Sequence, residues 1–198
     1  MDLRQPVWDR IEELSLDERH QLTTYGPKLV RAIGSIEVPT IAAIEGICFG
    51  GGVAMVAFCD FRIAARNARF AAPEVGVGLH MTWHSVPRLV RLLGAQATRR
   101  LLLTPLKWTA EQALAANFVD EITEPGQAVS AAVKLAESIA ARPRLATRFV
   151  KRGIEAATHG GDTLLSAGDS DLLLAMSVSD DFKKGRARLT ARSKGSKT

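Results

Sequence analysis

The distribution of apolar and polar positions predicts strands mixed with helices in the first two thirds of the chain. Residues 40–44 form a short apolar run of the length and composition of a buried strand, and Pro39 before them marks the end of a preceding helix. Residues 53–58 are also apolar and predict a short buried helix after that strand. Further strands are predicted at residues 61–65, 69–71 and 119–122.

Two sequence signals predict where helices begin. Ser15 stands three residues before Glu18, and Thr109 stands three residues before Gln112, which is the spacing of a capping box. The first of these helices has apolar residues at helical spacing and should bury them on one face: Leu22, Leu29, Ile33 and Ile36. Pro27 inside this stretch is expected to kink or restart the helix, because proline cannot donate a backbone hydrogen bond.

Helical periodicity dominates the rest of the chain. Residues 85–93 and 96–103 predict two helices separated by Gly94, in the usual position of a left-handed cap. After Gly126 an amphipathic stripe comprises Val129, Ala132, Val133, Ala136 and Ile139, and a last helix is expected near Ser179. The predicted fold class is α/β, with a core in residues 1–126 and a helical region in residues 127–198 that ends in a basic tail.

Composition narrows the function classes. The 198 residues suit one domain, and 46% hydrophobic with 24% charged residues is typical of a globular protein. The net charge is +5, but seven basic residues and no acidic one follow from Lys183 onward, so the rest carries about −2. Without a basic body or interleaved aromatic residues, no nucleic-acid partner is expected, and a solvated terminus is favoured for the tail. No secretory signal or membrane-spanning run is recognised, so a cytoplasmic location is expected.

The cysteine, histidine and acidic residues show no spacing that predicts a metal site or a disulfide framework. Cys48 and Cys59 lie in apolar stretches and are interpreted as buried free thiols, with no disulfide framework or zinc spacing. The triplet Gly50-Gly51-Gly52 is more informative, because it joins the predicted strand to the predicted helix. The amides of a first helical turn lack partners, and glycines let a ligand approach them, so such a junction suits a group that is or becomes negative. A simple tight turn is the competing interpretation.

Several motifs in fixed order resemble the enoyl-CoA hydratase/isomerase (crotonase) family. They are Pro39-Thr40-Ile41-Ala42-Ala43-Ile44, Gly46, Cys48, Gly50-Gly51-Gly52, Cys59-Asp60 and Phe70-Ala71-Ala72-Pro73-Glu74-Val75-Gly76-Val77-Gly78. The resemblance continues through residues 87–89, 103–104 and 110–113 and ends near residues 179–181. It implies a spiral of strand–strand–helix turns followed by helices that form trimer contacts, and hence a homotrimer or hexamer. It also implies an acyl-CoA thioester as substrate and no cofactor apart from coenzyme A as part of that substrate.

The resemblance assigns expected roles to individual residues. The backbone N–H of Gly51 would bind the thioester carbonyl oxygen and stabilise an enolate, with Gly50 and Gly52 completing the binding loop. Glu74 would be the catalytic acid or base that moves protons at the carbons next to the thioester. A buried ion pair with a neighbouring arginine such as Arg88 is the competing interpretation for Glu74.

Other positions depart from the family pattern. Hydratases of the family carry a second glutamate where this chain has Ala54, so isomerisation or related enolate chemistry is expected over hydration, with Ala54 in the substrate site. His84 stands near the expected acyl pocket and could supply a proton or bind a polar acyl chain, although a structural histidine is the competing interpretation. The family's closing motif is replaced here by Leu189-Thr190-Ala191-Arg192. The residues with which that motif contacts the adenine of coenzyme A are therefore missing from this end of the chain.

The start of the chain carries a further expectation. Met1-Asp2-Leu3 resembles the end of a family loop whose alanine supplies the other oxyanion donor, so the opening strands of the spiral are expected to be missing or to lie upstream. Such a chain could be an enzyme of the family or a non-catalytic subunit that has kept the fold for assembly or acyl-CoA binding. The glycine triplet and Glu74 favour the enzyme, whereas Ala54 and the missing donor favour the subunit.

Overall fold

The computed structural model describes residues 11, 13–159, 161 and 168–195. The strands are β1 Ile41–Ile44, β2 Ile47–Phe49, β3 Phe61–Ala65, β4 Arg69–Ala71, β5 Trp108–Thr109 and β6 Glu121–Thr123. The helices are α1 Leu16–Gly34, α2 Gly51–Ala57, α3 Ser85–Leu103, α4 Ala110–Ala115, α5 Ala128–Ala140, α6 Arg144–His159, α7 Asp169–Ser177 and α8 Asp180–Gly195, and a 3-10 turn spans Val75–Val77. The α/β prediction is confirmed. The expectation based on Met1-Asp2-Leu3 lies outside the described residues.

The strands form two small sheets rather than one. In the first, β3 lies between β1 and β6 and pairs in parallel with both. In the second, β4 pairs in parallel with β2 and antiparallel with β5. The chain therefore adds strands to the two sheets in alternation. Strand β1 belongs to the first sheet and β2 to the second, and after α2 strand β3 belongs to the first and β4 to the second.

Helix α1 begins as predicted but buries the predicted face only in part. Ser15 and Glu18 form both hydrogen bonds of the capping box. The buried positions are Thr23, Gly26, Pro27 and Val30, whereas Leu29 and Ile36 are exposed. The predicted face is therefore only partly buried: Ile33 packs against the core, but small residues beside it let the helix approach the indole of Trp83 at Gly26.

The helix also continues through Pro27 without the predicted break. Proline cannot donate to the carbonyl four residues earlier, which is that of Thr23. The Ser170 hydroxyl lies 3.4 Å from the Thr23 carbonyl oxygen and donates to it. A residue of α7 thus supplies the hydrogen bond that the proline removes.

Two other predictions of where helices begin and end are confirmed. Gly94 has φ 73° and ψ 161° and interrupts the helical backbone of α3, where the sequence predicts two helices. Thr109 and Gln112 form both bonds of the second capping box, and Asn117 after α4 has φ 59°. The positive φ at Asn117 agrees with the tolerance of asparagine for the left-handed region.

The helices after Gly126 pack on the core with different faces. Helix α5 lies against β1 and β3, α7 against α1, and α8 against the 3-10 turn. In α5 the predicted stripe is only partly covered, because Val129 and Val133 are half exposed. The basic tail is helical to residue 195. Its first residues, Lys183 and Lys184, are exposed, while Gly185 packs on the backbone of Val77 in the 3-10 turn.

Helix α6 is attached to the core largely by charged side chains. The Lys151 ammonium donates to Asp60 Oδ2 at 2.6 Å and to the Val38 carbonyl at 2.9 Å. The Arg88 guanidinium forms a bidentate pair with Glu155 at 2.9 and 3.1 Å. None of the helices in the described part of the chain is both long and apolar enough to cross a bilayer.

Candidate active site

A cavity of about 390 Å³ opens where β2, α2 and the 3-10 turn meet. Its lining is mostly apolar, with Glu74 and His80 as its titratable side chains. The full lining is Ile47, Phe49, Gly50, Gly51, Ala54, Pro73, Glu74, Val77, Leu79, His80, Met81, Thr82, Trp83, Leu173 and Leu189. The structure therefore brings together four of the residues that the sequence singled out: Gly50, Gly51, Ala54 and Glu74. Such a cavity with few polar groups is typical of a small-molecule site.

The glycine triplet places one unpartnered amide, that of Gly51, at this cavity. Gly50 has φ 53°, and its N–H donates to the Ala71 carbonyl at 2.9 Å, which ties the end of β2 to β4. Helix α2 then begins at Gly51. Among the described residues, the amides of Gly51 and Gly52 find no hydrogen-bond acceptor. The Gly51 amide is therefore available to a ligand in the cavity.

Trp83 forms the cavity wall next to Gly51. Its backbone has φ 62°, and its indole packs on the α-carbons of Gly26 in α1 and Gly51 in α2. A Cβ added at Gly51 would lie 2.7 Å from the indole ring, and one added at Gly26 would overlap it. Glycine is needed at both positions because the ring occupies the space of a side chain.

Glu74 is half-buried at the cavity, and one of its oxygens is without a partner. Its backbone carbonyl accepts from Val77 and Leu79, which fixes the turn that follows it. Oε2 is buried and has no hydrogen-bond partner in the described structure. Burial raises the pKa of this carboxyl, and a backbone hydrogen bond partly opposes that rise.

The competing interpretation of Glu74 as the partner of Arg88 is wrong. The Arg88 guanidinium is bound to Glu155 and to the Ala57 carbonyl, and it lies over the Phe58 ring at 5.0 Å. These contacts explain how a buried arginine is stabilised without Glu74. The carboxyl of Glu74 is therefore left to face the cavity.

Ala54 lies one helical turn after Gly50 and lines the cavity with its methyl group, 1% exposed. An alanine side chain can neither hold a water molecule nor transfer a proton. Gly52 does not line the cavity, since a Cβ there would face the Cys48 sulfur at 3.6 Å.

His84 is buried outside the cavity lining. Its Nε2 is bound to the Arg31 guanidinium at 2.8 and 3.0 Å, and its backbone N–H donates to Asp169 Oδ2 at 3.0 Å. Burial and the Arg31 charge lower the pKa of its imidazole, and Asp169 opposes them. This placement corresponds to the structural interpretation of His84, although Nδ1 is buried without a partner.

Sequence reasoning missed His80, which stands in the lining itself. Its Nε2 lies 3.8 Å from Asp169 Oδ1, and its side chain is 33% exposed. The only available signal was its position six residues after Glu74, on the far side of the turn. In the described residues, no cluster of three or more histidine, cysteine, aspartate or glutamate side chains could hold a metal ion.

Comparison with known proteins identifies the family of the chain. The sequence profile of the enoyl-CoA hydratase/isomerase family matches residues 10–195. A crotonyl-CoA hydratase of Syntrophomonas wolfei is 34% identical over 171 residues, which are 86% of this chain and 62% of that protein. A short-chain-enoyl-CoA hydratase of Clostridium acetobutylicum is 33% identical over 144 residues, 73% of this chain and 55% of that protein.

A solved structure shows the same fold. An enoyl-CoA hydratase from Mycobacterium avium subsp. paratuberculosis superposes with a TM-score of 0.83 at 24% identity, over 88% of this chain and 71% of that one. This chain thus spans little more than half the length of the two curated relatives. By its sequence profile and its fold, the chain belongs to the enoyl-CoA hydratase/isomerase family.

Proposed function

We propose that this chain binds an acyl-CoA thioester in the cavity and that Glu74 moves a proton at the carbons next to the thioester. The observation that carries the proposal is the buried, unpartnered Oε2 of Glu74 in a cavity that also receives the free amide of Gly51. A carboxyl held in an apolar site can keep its proton near neutral pH and then transfer it.

Gly51 supports the proposal because its amide could stabilise the charge that forms when the proton leaves. Loss of a proton next to a thioester places negative charge on the carbonyl oxygen as an enolate. A fixed backbone N–H aimed at that oxygen stabilises the charge, and one such donor typically contributes on the order of 10²–10³ in rate. The site requires no group other than the coenzyme A that the substrate carries.

Two reactions are compatible with this chemistry. Ala54 favours double-bond isomerisation or related enolate chemistry, because Glu74 can carry one proton from carbon to carbon without activating water. The names of the two curated relatives, both hydratases, favour hydration of an enoyl-CoA. If Glu74 gives its own proton to the α-carbon during hydration, a second group must take the proton from the water, and Ala54 cannot be that group.

Binding and turnover test the proposal separately. Calorimetry with butanoyl-CoA should show saturable binding that is lost in Gly51→Ala, since the added Cβ displaces Trp83. Gly46→Ala is the matched control, because a Cβ at Gly46 meets nothing within 4 Å. A panel of 2-enoyl-CoA and 3-enoyl-CoA thioesters then reports hydration and isomerisation. Binding without turnover of any thioester would point to a non-catalytic subunit, and absence of binding would refute the proposal.

We also propose that the chain assembles as a trimer or as a dimer of trimers. Large apolar side chains are exposed on one helix, α6, where Leu145, Phe149, Val150 and Ile154 are 56–64% exposed. Val129 and Val133 on α5 are exposed as well. Several exposed large apolar side chains on one helix are typical of an association surface, and closed symmetric homo-oligomers are the common case.

A further inference from the structure

The cavity contains an acid–base pair that the glycine loop and Glu74 do not account for. His80 lines the same cavity as Glu74, on the chain segment that leaves the 3-10 turn. Its Nε2 faces the Asp169 carboxylate, with Oδ1 at 3.8 Å. Asp169 is in the first turn of α7 and 9% exposed, so the histidine is backed by a carboxylate from a distant part of the chain.

The carboxylate is held in place by a second contact. Asp169 Oδ2 accepts from the backbone N–H of His84 at 3.0 Å, while the His84 imidazole is bound to Arg31. One oxygen of Asp169 is thus anchored and the other faces His80. At 3.8 Å this contact is electrostatic rather than a hydrogen bond, and the nearby negative charge of Asp169 favours the tautomer that carries the proton on Nε2, which leaves the lone pair on Nδ1 as a proton acceptor.

We propose that His80, positioned by Asp169, is the second proton-transfer group of this site and takes over the task that Ala54 cannot perform. The inference rests on the proposed function, in which Glu74 transfers a proton at the carbon next to the thioester. It accounts for both observations that otherwise conflict, the missing second carboxylate and the hydratase names of the relatives.

The proton balance of hydration assigns a separate task to each group. The oxygen of a water molecule bonds to the β-carbon of the enoyl thioester, and one O–H bond of that water breaks as His80 takes the proton. The electron pair of the carbon–carbon double bond moves toward the thioester as an enolate, whose oxygen the Gly51 amide receives. Glu74 then gives its proton to the α-carbon. His80 has gained one proton and Glu74 has lost one, and exchange with solvent restores both.

The test compares two reactions of the 198-residue chain. Exchange of the α-protons of butanoyl-CoA for deuterium, followed by NMR, needs only one base and reports Glu74. Hydration of crotonyl-CoA needs both groups. His80→Gln should reduce hydration by about 10²–10⁴-fold, the range for a general acid or base, and at least tenfold more than it reduces exchange. His20→Gln on the exposed surface of α1 is the matched control and should change neither rate.

Asp169→Asn tests the positioning residue. It should lower hydration selectively in the same way, and the double variant with His80→Gln should lose no more than His80→Gln alone, because the two residues act as one unit. If Asp169→Asn lowers exchange and hydration equally, and if its loss multiplies with that of His80→Gln in the double variant, the effect of Asp169 is structural only.

The outcomes separate the two proposals. If the parent chain neither exchanges nor hydrates, the proposed function fails and this inference falls with it. If the parent chain exchanges but does not hydrate, or if His80→Gln hydrates as fast as the parent, the assignment of His80 is wrong while Glu74 keeps its task.

Discussion

The carboxyl group of Glu74 lies directly against the α-carbon of Gly50. A Cβ added at Gly50 would be 2.5 Å from Glu74 Oε1, closer than side-chain atoms approach one another. Gly50 also has φ 53°, a conformation that L-residues adopt at a cost. The first glycine of the triplet therefore sets the position of the carboxyl group as well as the path of the backbone.

Gly50→Ala should consequently lower stability and displace Glu74. The strained backbone alone costs about 1–3 kcal/mol, and the contact with Oε1 adds to it. Urea unfolding of the variant measures the change in the free energy of unfolding. Gly52→Ala is the matched control, because its Cβ would make an ordinary contact with the Cys48 sulfur at 3.6 Å. Equal stability of the two variants would contradict this description of the loop.

Glu74→Gln should raise stability at neutral pH. Burial raises the folded-state pKa of Glu74 above its ordinary value of 4.5, so the folded chain binds this proton more tightly than the unfolded chain does. Ionisation therefore destabilises the folded state as pH rises from 4.5 through the folded-state pKa, and the loss is complete above it. Thermal unfolding should show a higher Tm for Glu74→Gln at pH 7 and convergence with the parent below pH 4.5. A difference that is constant with pH would mean that the carboxyl is not titrating in this window.

Glu155→Ala should be the more damaging of two ion-pair deletions. It leaves the Arg88 guanidinium, whose side chain is 4% exposed, without its bidentate partner, and breaking a buried pair costs about 3–5 kcal/mol. Because Glu155 itself is 27% exposed, the lower end is expected. Glu124→Ala removes an exposed partner of Arg66 and should cost less than about 1 kcal/mol. Denaturant unfolding of both variants at pH 7 measures the contrast, and equal costs would contradict it.

Phe149→Glu should reduce the size of the assembled particle. Phe149 is 60% exposed at the centre of the apolar surface of α6, and a carboxylate there would be buried without a partner on association. Light scattering at micromolar concentration reports the mass. Leu16→Glu, at a 70% exposed position on α1, is the control and should leave the mass unchanged. A parent chain that is monomeric at this concentration would refute the trimer proposal.

Local signals in the sequence predict much of the fold. Strands β3 and β4 have the predicted bounds, and both capping boxes form, because each depends on residues close together in the chain. Two short strands were missed: Ile47 of β2 is 78% exposed, and β5 has two residues. Such strands exist only through their pairing with β4, which no local pattern reports.

Contacts between distant residues account for the rest. The predicted face of α1 is only partly buried, because Trp83, 57 positions after Gly26, packs on the small residues of the helix. The predicted break at Pro27 is absent because the Ser170 hydroxyl donates a hydrogen bond to the carbonyl of Thr23. His80 gave no signal because the carboxylate behind it lies 89 positions later. The glycine triplet and Glu74 could be singled out from the sequence because they lie in short local motifs that resemble those of the family.

The exchange of the α-protons of butanoyl-CoA in deuterium oxide, measured in the parent chain and in Glu74→Gln, tests the central claim most directly. Glutamine keeps the size of the side chain but cannot take a proton, so the variant should fold and should still bind the thioester in calorimetry. We expect enzyme-dependent exchange in the parent and a loss of about 10²–10⁴-fold in the variant. Exchange at the same rate in both proteins, or none in a parent chain that binds the thioester, would contradict the assignment of Glu74.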